Sequence, residues 1–403
     1  MKISNLKLYS LFTILLVSCE PEISEFVPNA GNADFSVFIS VGCSQTAGFA
    51  NNELYRSGQI VSIPNILSRQ LLHVGGGEFR QPLMGDDVGY GNRLQLEYIT
   101  DCLGDSVIQT VEAGGMPDEG SLGNIYATEG PFQNLGVPGA KISQFFDPLN
   151  TTSGAFYKFF SRFASSPEAS ILSDAVASDA TFFSFWAGKS DILDFAMSGG
   201  TASPIIEPEQ FRSYLTILLT QLRGMTMLGV VANIPEVLSY PYFTHINPEG
   251  LWVVDTTEIN GKRTTVAGEL ILLPAAEQIK CQNLGSEENP VPMHWHISID
   301  QVNIINSRIN SFNAIISERA SHYNLAFADI HSLFSEVREG VVVDGVSINF
   351  EFIFGGYFSL DGINTSRRGN ALLANAFIDA INKRYIAAVP RVSITQFQGI
   401  EYP

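Results

Sequence analysis

Phe35 to Phe49 reads FSVFISVGCSQTAGF. Its run of Phe, Val and Ile, closed by Gly42-Cys43-Ser44, predicts a buried strand and a turn that holds Ser44 at the carboxyl edge of a sheet. Open α/β sheets present ligands and nucleophiles at that edge. The following segment, Ser62 to His73, places Ile63, Ile66, Leu67, Leu71 and Leu72 at helical spacing. The unit is therefore strand, serine-bearing turn, loop, helix.

Working outward, Thr181 to Gly188 (TFFSFWAG), Thr226 to Asn233 (TMLGVVAN) and Asn324 to Asp329 (NLAFAD) are short apolar runs. Between and after them lie amphipathic stretches, Pro208 to Met225, Ile299 to Tyr323 and Ser366 to Ala387. Strands separated by helices predict βαβ units and a mostly parallel sheet covered on both faces. The expected fold class is α/β, a three-layer α/β/α sandwich formed by one domain over residues 35–403. Two insertions interrupt it. Gly75 to Gly130 is rich in Gly, Asp and Asn, and its alternating run Arg93 to Thr100 reads as an edge hairpin. Pro235 to Trp295 carries Leu251 to Val254, an Asn260-Gly261 turn and Val266 to Leu273, a pattern that predicts a β-hairpin with a type I′ turn. There is no internal repeat.

The chain has 403 residues, 45% of them hydrophobic and 16% charged, enough apolar material for a large core. At its start, Lys2 and Lys7 precede an apolar segment, Leu8 to Val17, that is too short to span a bilayer. Leu16-Val17-Ser18-Cys19 follows and resembles the lipobox of bacterial lipoproteins. The resemblance implies a signal peptide over residues 1–18, a mature chain anchored to the membrane by lipid on Cys19, and an acidic tether over 19–34. An uncleaved signal with Cys19 as an ordinary thiol is the alternative. Glu20, Glu22 and Glu25 resemble the export signals of surface lipoproteins in the Bacteroidetes, which implies an outer-membrane location. Loss of Lys2 and Lys7 leaves 21 basic against 41 acidic residues, a formal charge of −20. Such a surface repels phosphate backbones and argues against a nucleic-acid partner. Cys43, Cys102 and Cys281 remain, so at most one internal disulfide forms, with Cys102–Cys281 one candidate.

Four blocks carry chemistry. They are Gly42-Cys43-Ser44-Gln45-Thr46-Ala47-Gly48, Asn134-Leu135-Gly136-Val137-Pro138-Gly139, Gly188-Lys189-Ser190-Asp191 and Asp361-Gly362-Ile363-Asn364. In this order they resemble the four blocks of the SGNH/GDSL hydrolases, and specifically lipoprotein members from Bacteroidetes. The resemblance implies a flavodoxin-like parallel sheet and ester hydrolysis with Ser44 as nucleophile. It also implies oxyanion donors at Ser44, Gly139 and position 190, a carboxylate at Asp361, a base at position 364, and no metal or other cofactor. Leu103-Gly104-Asp105-Ser106 spells the family's name motif, but no buried strand precedes it and no helix follows.

A serine hydroxyl is a weak nucleophile until a base accepts its proton, and a carboxylate holds that base in the right tautomer. Here Asn364 stands where the family has histidine, and Ser190 where it has asparagine. A carboxamide has no useful basicity near neutral pH. Loss of one triad member lowers turnover by roughly 10⁴ to 10⁶, and loss of an oxyanion donor by roughly another 10² to 10³. Six histidines could move in: His73, His245, His294, His296, His322 and His331. His294 and His296, spaced i, i+2, share a face if their stretch is extended and could then supply a base or two metal ligands; a surface loop beside Trp295 is the simpler reading. Cys43 reads as a small buried residue. Asp361 reads either as the family's carboxylate or as a helix-capping acid ahead of Thr365 to Asn370.

Two functions compete. One is a serine ester hydrolase acting on acyl or acetyl esters of lipids or glycans. The other is a lipid-anchored binding or accessory protein that uses the same cleft without turnover. A buried Ser44 would favour a third, purely structural role, and the insertions are expected to form the pocket.

Overall fold

A computed structural model describes residues 26–224 and 227–403. The signal peptide and Cys19 lie outside the described residues. Five parallel strands form the central sheet: β1 (Phe38–Gly42), β2 (Asn134–Gly136), β3 (Phe182–Trp186), β4 (Leu228–Ala232) and β5 (Ala326–Ala328). Their order across the sheet is 2-1-3-4-5, the flavodoxin-like doubly wound arrangement. β1 and β3 are buried at every position, as an apolar strand covered on both faces must be.

The principal helices are α1 (Ser44–Ala47), α2 (Ile63–Leu71), α3 (Gly154–Phe160), α4 (Lys189–Met197), α5 (Pro208–Gly224), α6 (Ile299–His322), α7 (Ile330–Glu339) and α8 (Arg367–Tyr385). α2 starts where Ser62 Oγ accepts the Asn65 N–H at 3.4 Å, and it buries Ile63, Ile66, Leu67 and Leu71. It packs with α8 as one layer. The Tyr385 hydroxyl at the end of α8 donates to Gly229 O at 2.7 Å and so fastens that layer to β4. α5 and α6 pack together as the other layer, held by Phe211 and Phe312, whose rings stack with centroids 4.1 Å apart. The expected α/β/α sandwich is the observed fold.

The insertions differ from expectation in detail. Leu94–Thr100 does form a hairpin, with Ser106–Glu112, but as a separate two-stranded ribbon that pairs with no strand of the central sheet. The Leu103-Gly104-Asp105-Ser106 decoy lies at the ribbon's turn, where Asp101 N donates to Asp105 O. In the second insertion Trp252–Val254 pairs with Lys262–Thr264, and Leu270–Ile271 pairs with His296–Ile297 instead. The turn is not type I′, which needs φ > 0 at both central residues, since Gly261 is at +69° and Asn260 is not in that region. A small core of Val253, Ile271, Ala275, Leu284 and Val291 lies under this insertion.

Cys102 and Cys281 form a disulfide, which joins the two insertions, and Lys280 pairs with Asp101 beside it. Arg162, fully buried, donates to Ser121 O (2.7 Å), Pro82 O (3.0 Å) and Leu83 O (2.8 Å), so the first insertion is pinned through three backbone carbonyls. Among the described residues no helix is long and apolar enough to cross a membrane.

Candidate active site

In a doubly wound sheet the crevice opens beyond the carboxyl ends of the strands where the order reverses, here between β1 and β3. The sequence puts Ser44 directly after β1 and Gly188-Lys189-Ser190-Asp191 directly after β3. Gly42 makes the turn possible. A Cβ there would sit 2.1 Å from Thr46 Oγ1 and 2.6 Å from Trp186 O. Ser44 is half-buried, whereas Cys43 beside it is buried and forms no disulfide. The exposure of Ser44 removes the condition that would have favoured a purely structural role.

The loop after β2 comes back to Ser44. Gly139, at φ +74°, turns its N–H toward the serine and donates to Ser44 Oγ at 3.2 Å. The loop is clamped to α4 at two points. Ile142 N–H donates to Asp191 Oδ2 at 3.0 Å, and Lys141 Nζ lies 2.6 Å from Asp194 Oδ2. Burial pushes the Asp191 carboxyl up to about 7, against the opposing pull of the Ile142 N–H and Lys141. Asp191 thus acts on the site by positioning Gly139.

Asp361 accepts four hydrogen bonds. Oδ1 takes the N–H groups of Ile363 (2.9 Å) and Asn364 (2.8 Å); Oδ2 takes Asn52 N–H and the Asn364 side-chain Nδ2, each at 3.0 Å. It therefore caps its own turn and does not cap α8, whose first turn is closed by Ser366 Oγ accepting Gly369 N–H. Asn364 is 6% exposed, and its Oδ1 is buried without a partner among the described residues.

Ser44, Gly139, Ser190, Asp361 and Asn364 line one cavity of about 300 Å³. The lining also includes Asn52 and Asp194 and the apolar residues Phe49, Pro138, Phe159, Leu193 and Met197. None of the lining comes from residues 75–130 or 235–295. The expectation that the insertions form the pocket is corrected: the cleft is built from the sheet's own crossover segments, and the insertions support it from outside. Leu94 N–H donates to Asn51 O, and Tyr242 N–H donates to Gly362 O.

No histidine lines the cavity. Met293–Trp295 forms a 3-10 turn, so His294 is exposed while His296 is buried in a strand; the two do not share a face, contrary to the extended reading. His296 Nε2 lies 3.3 Å from Glu269 Oε2, unaligned as a hydrogen bond, and burial lowers the imidazole pKa despite that neighbour. The Glu269 charge is met by Arg263, whose guanidinium makes 2.7 and 2.9 Å bonds to it and holds the carboxyl down to about 2 against the opposing effect of burial. His331 Nδ1 lies 3.1 Å from Ile234 O, and His73, His245 and His322 are exposed. No group of three His, Cys, Asp or Glu side chains able to hold a metal occurs among the described residues.

Lys189 belongs to the third block but carries no role there, although a lysine abutting an apolar strand is itself a signal. It is 1% exposed, its Nζ has no hydrogen-bond partner among the described residues and stands 5.9 Å from the centroid of the Tyr240 ring, and burial lowers its pKa to about 8. Asn52 gave no sequence signal, because it reaches Asp361 only through its backbone N–H.

The chain has similar solved structures. One, from Parabacteroides merdae, is described as a GDSL-like lipase: 14% identity, 88% of this chain and 99% of that chain covered, TM-score 0.38. A lipase/acylhydrolase from Enterococcus faecalis shows 12% identity, coverage of 86% and 95%, and TM-score 0.35. An acetylxylan esterase from Geobacillus stearothermophilus shows 12% identity, coverage of 88% and 98%, and TM-score 0.39. No protein-family model and no curated protein matches the chain.

Proposed function

We propose that this chain is an SGNH/GDSL-type ester hydrolase in fold and cleft whose triad is degenerate. It holds an acyl or acetyl ester of a lipid or glycan over Ser44 and turns it over at a small fraction of a complete triad's rate. The observation that carries this reading is the bonding of Asn364. Its Nδ2 donates to Asp361 Oδ2 at 3.0 Å, the bond an orienting carboxylate makes to a base, yet the group so oriented is an amide.

The remaining parts suit ester binding. The Gly139 N–H is aimed at Ser44 Oγ, where it can donate to a carbonyl oxygen, and the apolar side chains of Phe159, Leu193 and Met197 in the lining suit an acyl chain. Without a base the Ser44 hydroxyl keeps its proton, so binding outlasts chemistry. In this reading the protein is tethered through lipidated Cys19 to the outer membrane, faces outward, uses no cofactor and has no nucleic-acid partner.

The test pairs binding with reactivity. A fluorophosphonate probe should label Ser44 slowly and p-nitrophenyl acetate should turn over near background, while a non-hydrolysable acyl amide binds saturably. Rapid labelling that Ser44→Ala abolishes would overturn the degenerate-triad reading, and absence of both binding and labelling would overturn the cleft assignment.

A further inference from the structure

A second cavity, of about 230 Å³, lies behind the same loops. Its walls include Tyr55, Arg93, Ser359, Arg367 and the segment Gly399 to Pro403. It adjoins the cleft but is distinct from it. Asn51 and Ser359 line this cavity, whereas Asn52 and Asp361 line the other. Asn51 N–H donates to Ser359 Oγ and Leu360 N–H to Asn51 Oδ1, each at 3.0 Å, so one hydrogen-bonded wall separates the two.

Two guanidinium groups meet here in a chain that carries 23 basic against 41 acidic residues. The Arg93 guanidinium stands over the Tyr55 ring, 5.4 Å from its centroid. Its Nε is shielded from solvent without a hydrogen-bond partner, and no carboxylate lies within ion-pair distance of Arg93 among the described residues. A buried donor left unmade is costly. Arg367, in contrast, is occupied. It donates to Gln398 Oε1 at 2.8 Å, to Glu401 Oε1 at 3.2 Å and to Ser57 Oγ at 3.3 Å. Glu401 thus brings a carboxylate of the chain itself to one of the two arginines. Tyr402, from the same segment, also lines the cavity and stacks on the exposed Phe354, which lies outside the lining, with centroids 6.2 Å apart and planes 16° from parallel.

We propose that this cavity is a binding site for a small organic carboxylate carried on a polar ring, of the uronate class, and that Glu401 occupies part of it in the unliganded protein. A guanidinium fork matches a planar carboxylate with two parallel N–H···O bonds, and the two terminal nitrogens of Arg93, which have no hydrogen-bond partner among the described residues, offer that fork to the cavity. The amides of Asn51 and Asn370 are taken up within the wall itself, but the Ser359 hydroxyl, which accepts the Asn51 N–H, keeps its own proton for a ring oxygen, and Tyr402 gives the lining an aromatic face of the kind a sugar ring packs on. A ligand here displaces Glu401 from Arg367 while leaving the Ser44 cleft open.

Calorimetric titration of the full chain with sodium glucuronate tests this, with glucose and inorganic phosphate as comparison ligands. Saturable glucuronate binding is expected, at least tenfold tighter than either comparison ligand. Arg93→Gln should weaken it at least tenfold, with folding checked by thermal unfolding. Glu401→Gln, an exposed change that leaves both arginines, should tighten it severalfold by removing the competing carboxylate. Phosphate binding as tightly as glucuronate overturns the carboxylate assignment. Unchanged affinity in Glu401→Gln, or no saturable binding to either the unmodified protein or this variant, overturns the site.

Discussion

If the cleft lacks only its base, returning one should return chemistry, and Asn364→His is the perturbation that asks this. Asn364 Nδ2 already donates to Asp361 Oδ2 at 3.0 Å, the carboxylate that an imidazole Nδ1–H would use, and Asn364 lines the same cavity as Ser44. The missing base corresponds to a factor of roughly 10⁴ to 10⁶, or about 6 to 8 kcal/mol at ~1.4 kcal/mol per decade. A grafted ring lacks packing matched to it, and a displacement of about 1 Å costs on the order of 10². The expected recovery from Asn364→His alone is therefore about 10² to 10⁴ in the rate of fluorophosphonate labelling. Adding Ser190→Asn, at a buried position on the cavity wall, should contribute up to another ~10² by reaching the oxyanion. The gain should vanish in a Ser44→Ala background. It should also appear as pH rises through about 6.5 or somewhat above, since the imidazole must be neutral to accept the proton. A correctly folded double variant that labels no faster than the parent would refute the claim that the cleft is intact apart from these two side chains.

Further predictions concern the anchor and two buried charges. Cys19→Ala should move the protein from the membrane fraction to the soluble fraction; unchanged partition on fractionation would remove the lipid anchor from the proposal. Lys189 has a folded pKa lowered from 10.5 to about 8, so its penalty is full below pH 8 and fades as pH rises through 10.5. Lys189→Met should therefore stabilise the protein at pH 7 by up to roughly 3 kcal/mol, less above pH 10, and a lowered Tm at pH 7 would mean the amine is paired. Asp191 is shifted the other way, from 3.8 to about 7 by burial, so the folded state holds its proton and this contribution to stability is lost as pH rises from about 4 through 7. Asp191→Asn keeps an acceptor for the Ile142 N–H and should flatten that fall, with little change at pH 4 and a gain at pH 8 of at most ~4 kcal/mol. A steeper pH dependence in the variant would contradict the assignment.

The parts of the fold legible in the sequence were those where local pattern and tertiary environment agree. β1, β3 and β4 are apolar because both faces are covered, and α2, α5, α6 and α8 carry their spacing plainly. β2 was not legible, since Asn134–Gly136 is three residues long and ends in glycine. The partner of Trp252–Val254 was misread because Val266 to Leu273 is the more strand-like run; its segment Leu270–Ile271 pairs with His296–Ile297, across residues distant in sequence. Ser44, Gly139, Ser190, Asp361 and Asn364 stand out as candidates through spacing and motif, and all five line one cavity. What the sequence concealed was the support: a backbone N–H at Asn52, a clamp at Asp191, and insertions that brace the loops from outside.

The Cys102–Cys281 bridge turns the middle of the chain into a covalent ring, since the cysteines are 179 residues apart and β2, β3 and β4 all lie between them. β1 lies outside the ring in sequence yet sits between β2 and β3 in the sheet. Exposed loop tips within the ring, such as the one bearing the fully exposed Ile259, are where proteases cut. One cut there opens the ring without parting the molecule, because both ends remain joined through sulfur and through the sheet. The protein nicked once on this face would thus keep the Ser44 cleft whole, and reduction followed by denaturation would reveal the two pieces.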